Sequence, residues 1–574
     1  MKGKRIKIME KIFSKRNIKI FNWIAIIINL IIFEFGYCNV KFTTDLVTRQ
    51  PVQGFYFSLC RGVAYLGILI AIFFINRSKI IDDVSESFKS KTKKIVMILY
   101  FLLAIVAIAI YAYKFLVKQD LALIHFTLIS VSLITGFISV EMLTKKYYTN
   151  LISIFMIGMI FCFTVNVYHI LDEKRHFMSA YNLSYGNLDV ENPVVDKQFM
   201  EEIPRGTHYS NFVSLFGEKY EFQNGNLPEE YLVDSMPTSY NAVLYIPSTL
   251  GILVGRILQG SVADVFFMGR IFNLATYIAL IALALKILPY KKNTFFIILT
   301  IPMFLCFAST YSVDGIGVGL ASLFIAYFLK LYNNKENITL KNIIVLLCLY
   351  TLLLMFKSMS YIFVGLIMFL LPLKDIIKKY KKQIPVILIA FIIVNLLILY
   401  LQPKINLTDN RYENVNATEQ IKNAIHNPLI VLSVIKNQVK NCLLNFAWLQ
   451  MFNSDLYFAQ NSSNIFVVMF LYYFYVAVRD DSKNFNKKEK IVFLAAFMLT
   501  FCFTSGILYI ACAPVGANYV LGYQPRYIFP IISLIMICAS SKMLKTQEDN
   551  EIVLKISSMQ LAFIIVNLIG SILR

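Results

Sequence analysis

Charged residues are scarce in this 574-residue chain. Asp, Glu, Lys and Arg make up 16% of it, whereas soluble globular domains carry about 25%. Hydrophobic residues reach 58% and the mean hydropathy is +0.64. These values exclude a soluble globular enzyme, a disordered chain and a nucleic-acid-binding domain. Apolar runs of membrane-spanning length recur throughout and predict a polytopic membrane protein.

Acidic residues are fewer than basic ones, with 34 Asp and Glu against 55 Lys and Arg. The excess of Lys and Arg lies in short clusters between apolar runs, as is typical of cytoplasmic loops. We therefore predict a cytoplasmic N-terminus and no nucleic-acid partner. Lys, Ile and Asn are abundant, a composition that resembles that of a low-GC bacterial proteome. We therefore predict a bacterial plasma membrane. The basic clusters lie at 1–19, 77–94, 145–146, 291–292, 330–341, 374–382, 479–490 and 542–555.

Paired cysteines are also lacking. None of the nine cysteines forms a Cys-x-x-Cys motif and most lie inside apolar runs, which argues against a disulfide framework and a zinc site. The basic start of the chain leads into an apolar run with no Ala-x-Ala cleavage site, and this pattern predicts a retained signal-anchor.

The apolar runs predict an all-α bundle of about 13–15 transmembrane helices, built as a four-helix region at 1–150 and a core at 151–574. Two large outer loops are expected at 171–242 and 403–463. Segment 243–260 is predicted as an interfacial helix, because a span there would place 291–292 outside. The predicted spans are 19–38, 55–75, 95–117, 121–143, 151–170, 267–288, 294–309, 315–332, 343–355, 361–372, 384–402, 464–478, 491–511, 527–541 and 554–572.

Segment 343–371 contains no acidic residue, and its one cation is Lys357. As a single helix it would reach about 43 Å, well beyond an apolar core of about 30 Å. Both flanks are basic and should lie on the same side. We therefore predict two short helices meeting at 357–361, with Lys357 facing an outer cavity.

Two adjacent carboxylates, Asp172 and Glu173, follow a predicted span. In a continuing helix they share a face with His169 and His176. An apolar rim raises a carboxylate pKa toward the range of a general base, while the two basic residues that follow lower it. The alternatives are a solvated interfacial cluster or a metal site formed by these four side chains, so a divalent cation remains possible.

Three cations are expected near the outer end of the bundle: Arg270, Lys357 and Arg526. Fixed cations suit a phosphate ligand, although interfacial anchoring or snorkelling would explain each of them. Tyr361 and Tyr527 could stack on a sugar or prenyl group or belong to an aromatic belt.

A further acidic residue, Asp314, stands in Ser312-Val-Asp314-Gly315 between two predicted spans. We predict a polar turn in which Asp314 caps the next helix, with substrate or cation binding as the alternative.

The stretch Asp172-Glu173-x-x-His176-Phe177-x-x-Ala180-Tyr181 resembles the hallmark of a bacterial family of predicted multi-spanning membrane proteins of unknown function. Lys174 and Ser179 stand where that family usually has Pro and Arg. The resemblance covers about residue 150 to the C-terminus. Further similar stretches are Tyr245-Ile-Pro247 to Gly251, Gly255-Arg256, Gly269-Arg270 with Asn273, the 357–361 turn, and Gly522-Tyr-Gln524-Pro-Arg526-Tyr527.

The layout also resembles the GT-C superfamily of membrane glycosyltransferases. There an acidic motif follows the first core span, then interfacial helices, then a span opening with an Arg-x-x-Asn-like sequence. Segments 245–259 and 267–288 occupy the last two places. The resemblance implies transfer of a sugar from a polyprenyl-phosphate-linked carrier on the outer face.

The sequence thus predicts a glycosyltransferase that delivers a sugar to a cell-surface glycan, teichoic acid or lipid acceptor. Asp172 would be the base, and Glu173 would orient the acceptor or hold a cation. No resident cofactor or metal is expected. The rivals are a polysaccharide polymerase or ligase, and a transporter of lipid-linked glycans, which predicts a repeat symmetry that we do not find. The expected substrate-binding residues are His176, Arg270, Lys357, Tyr361, Gln524, Arg526 and Tyr527.

Overall fold

A computed structural model describes residues 172–187, 240–258, 262–401 except 358, 414–444 and 483–539, two short strands, and isolated positions elsewhere. The predicted N-terminal four-helix region, the orientation of the N-terminus, the span at 554–572, most of the outer loop at 171–242 and about half of that at 403–463 lie outside the described residues. The spans at 151–170 and 464–478 are described only at scattered positions.

The described part of the chain is mainly helical. This agrees with the predicted all-α class, and a small two-stranded antiparallel sheet adds β1 (Val194–Asp196) and β2 (Tyr231–Val233) to the first outer segment. The helices are α1 (Glu173–Leu183), α2 (Ile246–Ile257), α3 (Val262–Ile287), α4 (Lys292–Leu299), α5 (Pro302–Ala308), α6 (Asp314–Asn333), α7 (Leu340–Leu354), α8 (Leu373–Lys379), α9 (Gln383–Leu401), α10 (Ala417–His426), α11 (Pro428–Gln438), α12 (Lys487–Cys512) and α13 (Ile532–Cys538). Shorter 3₁₀ helices are Ala242–Tyr245, Lys335–Asn337, Ile362–Leu370, Pro525–Tyr527 and Phe529–Ile531, and Val439–Leu444 is a π-helix.

Among the described residues, four helices are long and apolar enough to cross a membrane: α3, α6, α9 and α12. These four candidate spans agree with the predicted spans at 267–288, 315–332, 384–402 and 491–511 to within a few residues. Helix α6 is 89% buried over its most apolar window, whereas α9 is 11% buried. Because lipid is an apolar solvent, this contrast puts α6 at the centre of the bundle and α9 at its periphery.

Two other predicted spans are not single helices. Segment 294–309 divides into α4 and α5, since Pro302 opens α5 at a position where its ring cannot continue the preceding helix. Segment 527–541 is described as far as residue 539; it begins with 3₁₀ turns, and α13 is the α-helical part of these described residues. Each α-helical piece reaches only about 10–12 Å, too short to cross alone.

The predicted break in segment 343–371 is confirmed. Helix α7 ends at Leu354, and the chain reverses through Lys357 (φ 50°) and Met359 (φ 66°). The second arm, Ile362–Leu370, is a 3₁₀ helix rather than the expected α-helix. The Tyr350 hydroxyl donates a hydrogen bond to the carbonyl of Ile362, which ties the two arms together.

The predicted interfacial segment forms the Ala242–Tyr245 turn followed by α2. Two glycines let α2 approach the backbone of α3, as small residues do between membrane helices. A Cβ at Gly251 would lie 2.3 Å from the Met268 carbonyl oxygen, and one at Gly255 would lie 2.8 Å from the Cα of Val265.

Four basic clusters meet at one end of the bundle, as a one-sided charge distribution requires. The Lys483 ammonium lies over the rings of Tyr290 (5.7 Å) and Tyr332 (5.9 Å). The Tyr380 hydroxyl donates to the carbonyl of Ile338 over 3.3 Å. These contacts join 291–292, 330–341, 374–382 and 479–490. The start of α6 and the 357–361 turn lie at the other ends of α6 and α7.

Candidate functional site

Asp172 precedes α1 in a left-handed conformation (φ 64°, ψ 5°) that few residues other than glycine adopt. An aspartate at this position usually caps the helix, but this side chain makes no capping hydrogen bond. Its Oδ2 instead accepts a hydrogen bond from Arg526 Nη2 at 2.7 Å, and Oδ1 lies 3.6 Å from Arg175 Nη1. The backbone therefore directs the carboxylate away from its own helix and toward Arg526.

Arg526 connects two carboxylates that are far apart in the sequence. It rises from the Pro525–Tyr527 turn, is 2% exposed, and its Nη1 lies 3.2 Å from Asp314 Oδ2. The other oxygen of Asp314 is 2.9 Å from Lys357 Nζ. Asp172, Arg526, Asp314 and Lys357 thus form a continuous ion-pair chain with balanced formal charge. Asp172 is its most open member, with 36% of its side chain exposed.

Asp314 is the site residue that sequence reasoning missed. The capping role predicted for its side chain is wrong: Asp314 is the first residue of α6, its backbone N–H donates to Ser312 Oγ at 3.2 Å, and no side chain caps this helix. Its carboxylate instead holds two cations. The signal was available, because a buried Lys357 and a buried Arg526 need anionic partners in a low-dielectric setting.

Two tyrosines, Tyr527 and Tyr361, support the ion-pair chain. Tyr527 places its ring 3.6 Å from the Lys357 ammonium, a close cation–π contact. Tyr361 is fully buried against Phe356, and its hydroxyl donates to the carbonyl of Tyr527 at 2.9 Å. The predicted stacking of Tyr361 on a sugar does not fit this burial; the residue ties the 357–361 turn to the turn that carries Arg526.

His176 stands one helical turn after Asp172 and is 1% exposed. Its Nδ1 lies 3.0 Å from the Tyr245 hydroxyl, and Nε2 has no hydrogen-bond partner among the described residues. Burial lowers the pKa of His176 to about 4 against the opposing carboxylates of Asp172 and Asp314, so the ring is neutral near pH 7. The side-chain oxygen of half-buried Gln524 is likewise without a partner among the described residues.

Glu173 and Arg270 are bound to each other rather than directed to a substrate. Both side chains are fully buried, and the guanidinium donates two parallel hydrogen bonds of 2.8 Å to the carboxylate. Arg270 Nη1 also donates to the carbonyls of Cys162 (2.7 Å) and Val165 (2.8 Å). This geometry corrects the roles expected for Glu173 at the acceptor and Arg270 at a phosphate, since either role would leave a buried charge without its partner.

Asn273 lies one turn after Arg270 on α3 and holds the loop that leads to Asp314. Its amide donates to the carbonyls of Thr310 (2.7 Å) and Ser312 (3.0 Å). The Arg-x-x-Asn pair therefore anchors both segments that carry the carboxylates of the ion-pair chain. Arg270 anchors the start of α1, and Asn273 anchors the loop before α6.

Arg526 also sets the acidity of Asp172. Burial by itself would raise the pKa of Asp172, but the charge and hydrogen bond of Arg526, together with the charge of Arg175, hold it below its ordinary value. The sequence had suggested a shift toward the working range of a base. Burial lowers the pKa of Lys357 to about 8 although Asp314 opposes that shift.

The metal alternative draws on His169, which lies outside the described residues. Of its other members, Glu173 is taken up by Arg270. Within the part of the chain that the structure describes, no three His, Cys, Asp or Glu side chains form a metal-binding group. The groups available for chemistry are therefore the partly exposed Asp172 carboxylate and the two buried cations, Arg526 and Lys357.

Comparison with known proteins gives a family. Residues 155–535 match the family described as "Predicted membrane protein (DUF2142)". No curated protein and no solved structure matches the chain. The matched segment covers more than half of the sequence and contains the whole ion-pair chain. The chain therefore belongs to this family of predicted membrane proteins.

Proposed function

We propose that the protein is a membrane glycosyltransferase that moves a sugar from a polyprenyl-phosphate-linked donor to a glycan, teichoic-acid or lipid acceptor on the outer leaflet. The observation that carries the proposal is the pairing of the partly exposed Asp172 carboxylate with the buried Arg526 at 2.7 Å. The pair lies at the end of the bundle opposite the four basic clusters. The resemblance to the GT-C superfamily supplies the reaction class.

Arg526 and Lys357 are suited to a lipid phosphate. A phosphate leaves as an anion and needs no general acid, but it gains from fixed cations in a site of low dielectric. Both cations are nearly buried, at 2% and 9% exposure, and are held by Asp314. The arginine fork offers two parallel N–H groups to phosphate oxygens, and the lysine adds a point charge.

The base in this proposal is Asp172. While Arg526 holds the carboxylate, its lowered pKa makes it a weak base. A donor phosphate that binds Arg526 takes over the hydrogen bond to Nη2, and the pKa of Asp172 then rises. The base therefore becomes effective after the donor has bound.

The transfer step follows from this arrangement. The acceptor oxygen forms a bond to the anomeric carbon while the bond from that carbon to the phosphate oxygen breaks. The electron pair stays on the phosphate, next to Arg526 and Lys357, and the acceptor proton passes to Asp172.

The experiment compares lipid-linked intermediates in a deletion strain complemented with variants. Asp172→Asn should fail to complement, and the polyprenyl-linked sugar donor should accumulate. Asp375→Asn, an exposed aspartate at the basic end, is the matched control and should restore the wild-type pattern. Accumulation of complete repeat units would instead indicate the polymerase or ligase. An unchanged lipid pool in the deletion strain would overturn the proposal.

A further inference from the structure

Helices α10 and α11, here called the outer helix pair, lie at the end of α12 that is farthest from the basic clusters. α12 begins among those clusters and has 26 residues, so it rises about 39 Å and can cross an apolar core of about 30 Å. Its last turn and the loop that follows it therefore reach the opposite face of the membrane.

Hydrogen bonds fasten the outer helix pair to that loop. The side chain of Gln420 in α10 donates from Nε2 to the carbonyl of Pro514 at 3.3 Å, and its Oε1 accepts from the backbone N–H of Gly516 at 2.8 Å. In α11, Asn437 Nδ2 donates to the carbonyl of Asn518 at 2.9 Å. Both helices are thus held at the level where α12 leaves the membrane core.

Each helix of the pair packs one side against the protein. Ala417 and Gln420 are the buried residues of α10. In α11, Val434 is buried and packs with Tyr509 and Ala513 in a small apolar cluster. The side chains on the other sides of the two helices are free to meet a different surface.

A second side of each helix is apolar and exposed. Ile421 and Ile425, at i and i+4 of α10, are 40% and 72% exposed. Leu429 and Leu432, at i and i+3 of α11, are 71% and 62% exposed. These are large aliphatic side chains, and their removal from water is favourable.

The third side of α10 is charged. Glu419 and Lys422 form an exposed ion pair with an N–O distance of 2.9 Å. A turn of 100° per residue places this pair roughly opposite the buried Ala417. A helix that lies on a bilayer beside a protein needs these three sides: one for the protein, one for lipid and one for water.

The exposed apolar side continues the surface that α12 presents to lipid. Leu499 and Phe503 are exposed at i and i+4 of this candidate membrane span. Val515 and Tyr519 are exposed in the loop beyond it, and the backbone N–H of Val515 donates to the carbonyl of Asn414, just before α10, at 3.0 Å. Exposed apolar side chains therefore run from the membrane span to the outer helix pair.

We propose that the outer helix pair lies in the membrane leaflet at this end of the bundle. Ile421, Ile425, Leu429 and Leu432 insert at the boundary between phospholipid headgroups and acyl chains, where amphipathic helices bury their apolar side by about 5–10 Å. Lys436 follows Leu432 by one turn and keeps its ammonium group at headgroup level by snorkelling.

The contact with the leaflet also sets the depth of the ion-pair chain. The loop that holds the outer helix pair leads to the Pro525–Tyr527 turn, so it would hold Arg526 near the level of the lipid headgroups. The inference does not depend on the proposed glycosyl transfer, because it concerns the leaflet and not the group that the site binds.

The test attaches a nitroxide spin label to single cysteines of the full-length protein, in a background without the nine native cysteines, and reconstitutes it in phosphatidylglycerol and phosphatidylcholine vesicles. Collisions with oxygen report contact with lipid, and collisions with a water-soluble nickel complex report contact with water. Leu432→Cys should give an oxygen-to-nickel ratio several-fold higher than Glu419→Cys, the matched control on the charged side. Equal ratios would place the apolar side in water and overturn the proposal. Low collision rates with both reagents at Leu432→Cys would show that protein covers this side, either a second copy or another part of the chain, and would also overturn it.

Tryptophan fluorescence provides a second readout in the presence of the native cysteines. With Trp23 and Trp448 replaced by Phe, a single tryptophan at Leu429→Trp should be quenched by phospholipids brominated on their acyl chains. Glu419→Trp should be quenched several-fold less. Equal quenching at the two positions would contradict an inserted apolar side.

Discussion

Arg526 and Asp172 are 354 positions apart in the chain, yet the guanidinium donates to the carboxylate over 2.7 Å. The same guanidinium reaches Asp314 at 3.2 Å. One buried cation therefore links the segment before α1 to the start of α6. Any anion that enters the site must compete with these two carboxylates for Arg526.

Replacing Asp172 by Asn keeps the shape of the side chain but removes its charge. If Asp172 is the base, turnover should fall by about 10²–10⁴. Donor binding should not weaken, because Arg526 loses its competitor for the phosphate. Transfer assays and donor-binding measurements on the same preparation separate the two effects. Wild-type turnover in Asp172→Asn, with Asp375→Asn as control, would refute the assignment.

Replacing Arg526 by Ala should weaken donor binding, because a fixed cation is lost. It should also destabilise the protein. Since Arg526 is 2% exposed and holds two carboxylates, its loss should destabilise the protein by about 3–5 kcal/mol. Thermal unfolding in detergent checks this, and Arg526→Lys should recover part of the stability. An Arg526→Ala protein with unaltered donor affinity would contradict the phosphate role.

The long apolar runs were the most predictable part of the fold. Helices α3, α6, α9 and α12 follow from length and composition, because each must satisfy its own backbone in lipid. The break at Lys357 also followed, since a single helix could not have both basic flanks on one side. The α4–α5 division does not follow from composition, because 294–309 contains no charged residue that would interrupt the apolar run. Pro302 alone marks the point at which the helix must break.

The partners within the site could not be predicted. Asp172 and Glu173 are neighbours, but successive residues at a helix start point about 100° apart. One carboxylate meets Arg526 and the other meets Arg270. Which of the two faces the core depends on how α1 packs against α3, and no local pattern records that. The motif drew attention to the segment that carries Asp172 and Glu173, while the partners of Glu173, Arg270 and Asp314 needed the tertiary contacts.

The folded protein should become less stable in acid, because His176 is buried in its neutral form. Its ordinary pKa of 6.5 is lowered to about 4 by burial, so the unfolded chain binds the proton more readily. The stabilising contribution is complete above pH 6.5 and is lost as the pH falls toward 4, amounting to about 3 kcal/mol. Melting temperatures in detergent from pH 7 to pH 4.5 should fall less steeply for His176→Gln than for the unmodified protein. His426→Gln, at an exposed position, should keep the full slope; equal slopes for all three proteins would contradict the buried neutral ring.

Gly251→Ala should separate α2 from α3. The added Cβ would lie 2.3 Å from the Met268 carbonyl oxygen. This oxygen belongs to the backbone, so it cannot move away as the end of a flexible side chain could. Overpacking of this kind costs about 1–3 kcal/mol. Gly506→Ala is the matched control, because a Cβ there meets no heavy atom within 4 Å, and alanine favours the helix. A lower melting temperature for Gly251→Ala alone is the expected result. Equal melting temperatures would show that the helices tolerate the extra atom.

The sidedness of the bundle is the last prediction, and it determines where the proposed reaction takes place. The four basic clusters that the structure describes share one end, and the positive-inside rule predicts that this end is cytoplasmic. In a background without the nine native cysteines, Lys378→Cys should be protected from an impermeant thiol reagent in intact cells. Glu419→Cys, in the loop at 403–463, should label. Both positions are exposed, so reactivity reports the side of the membrane rather than burial. Labelling of Lys378→Cys from outside would invert the bundle, move the Asp172–Arg526 pair to the cytoplasmic leaflet and remove the basis for an outer-leaflet donor.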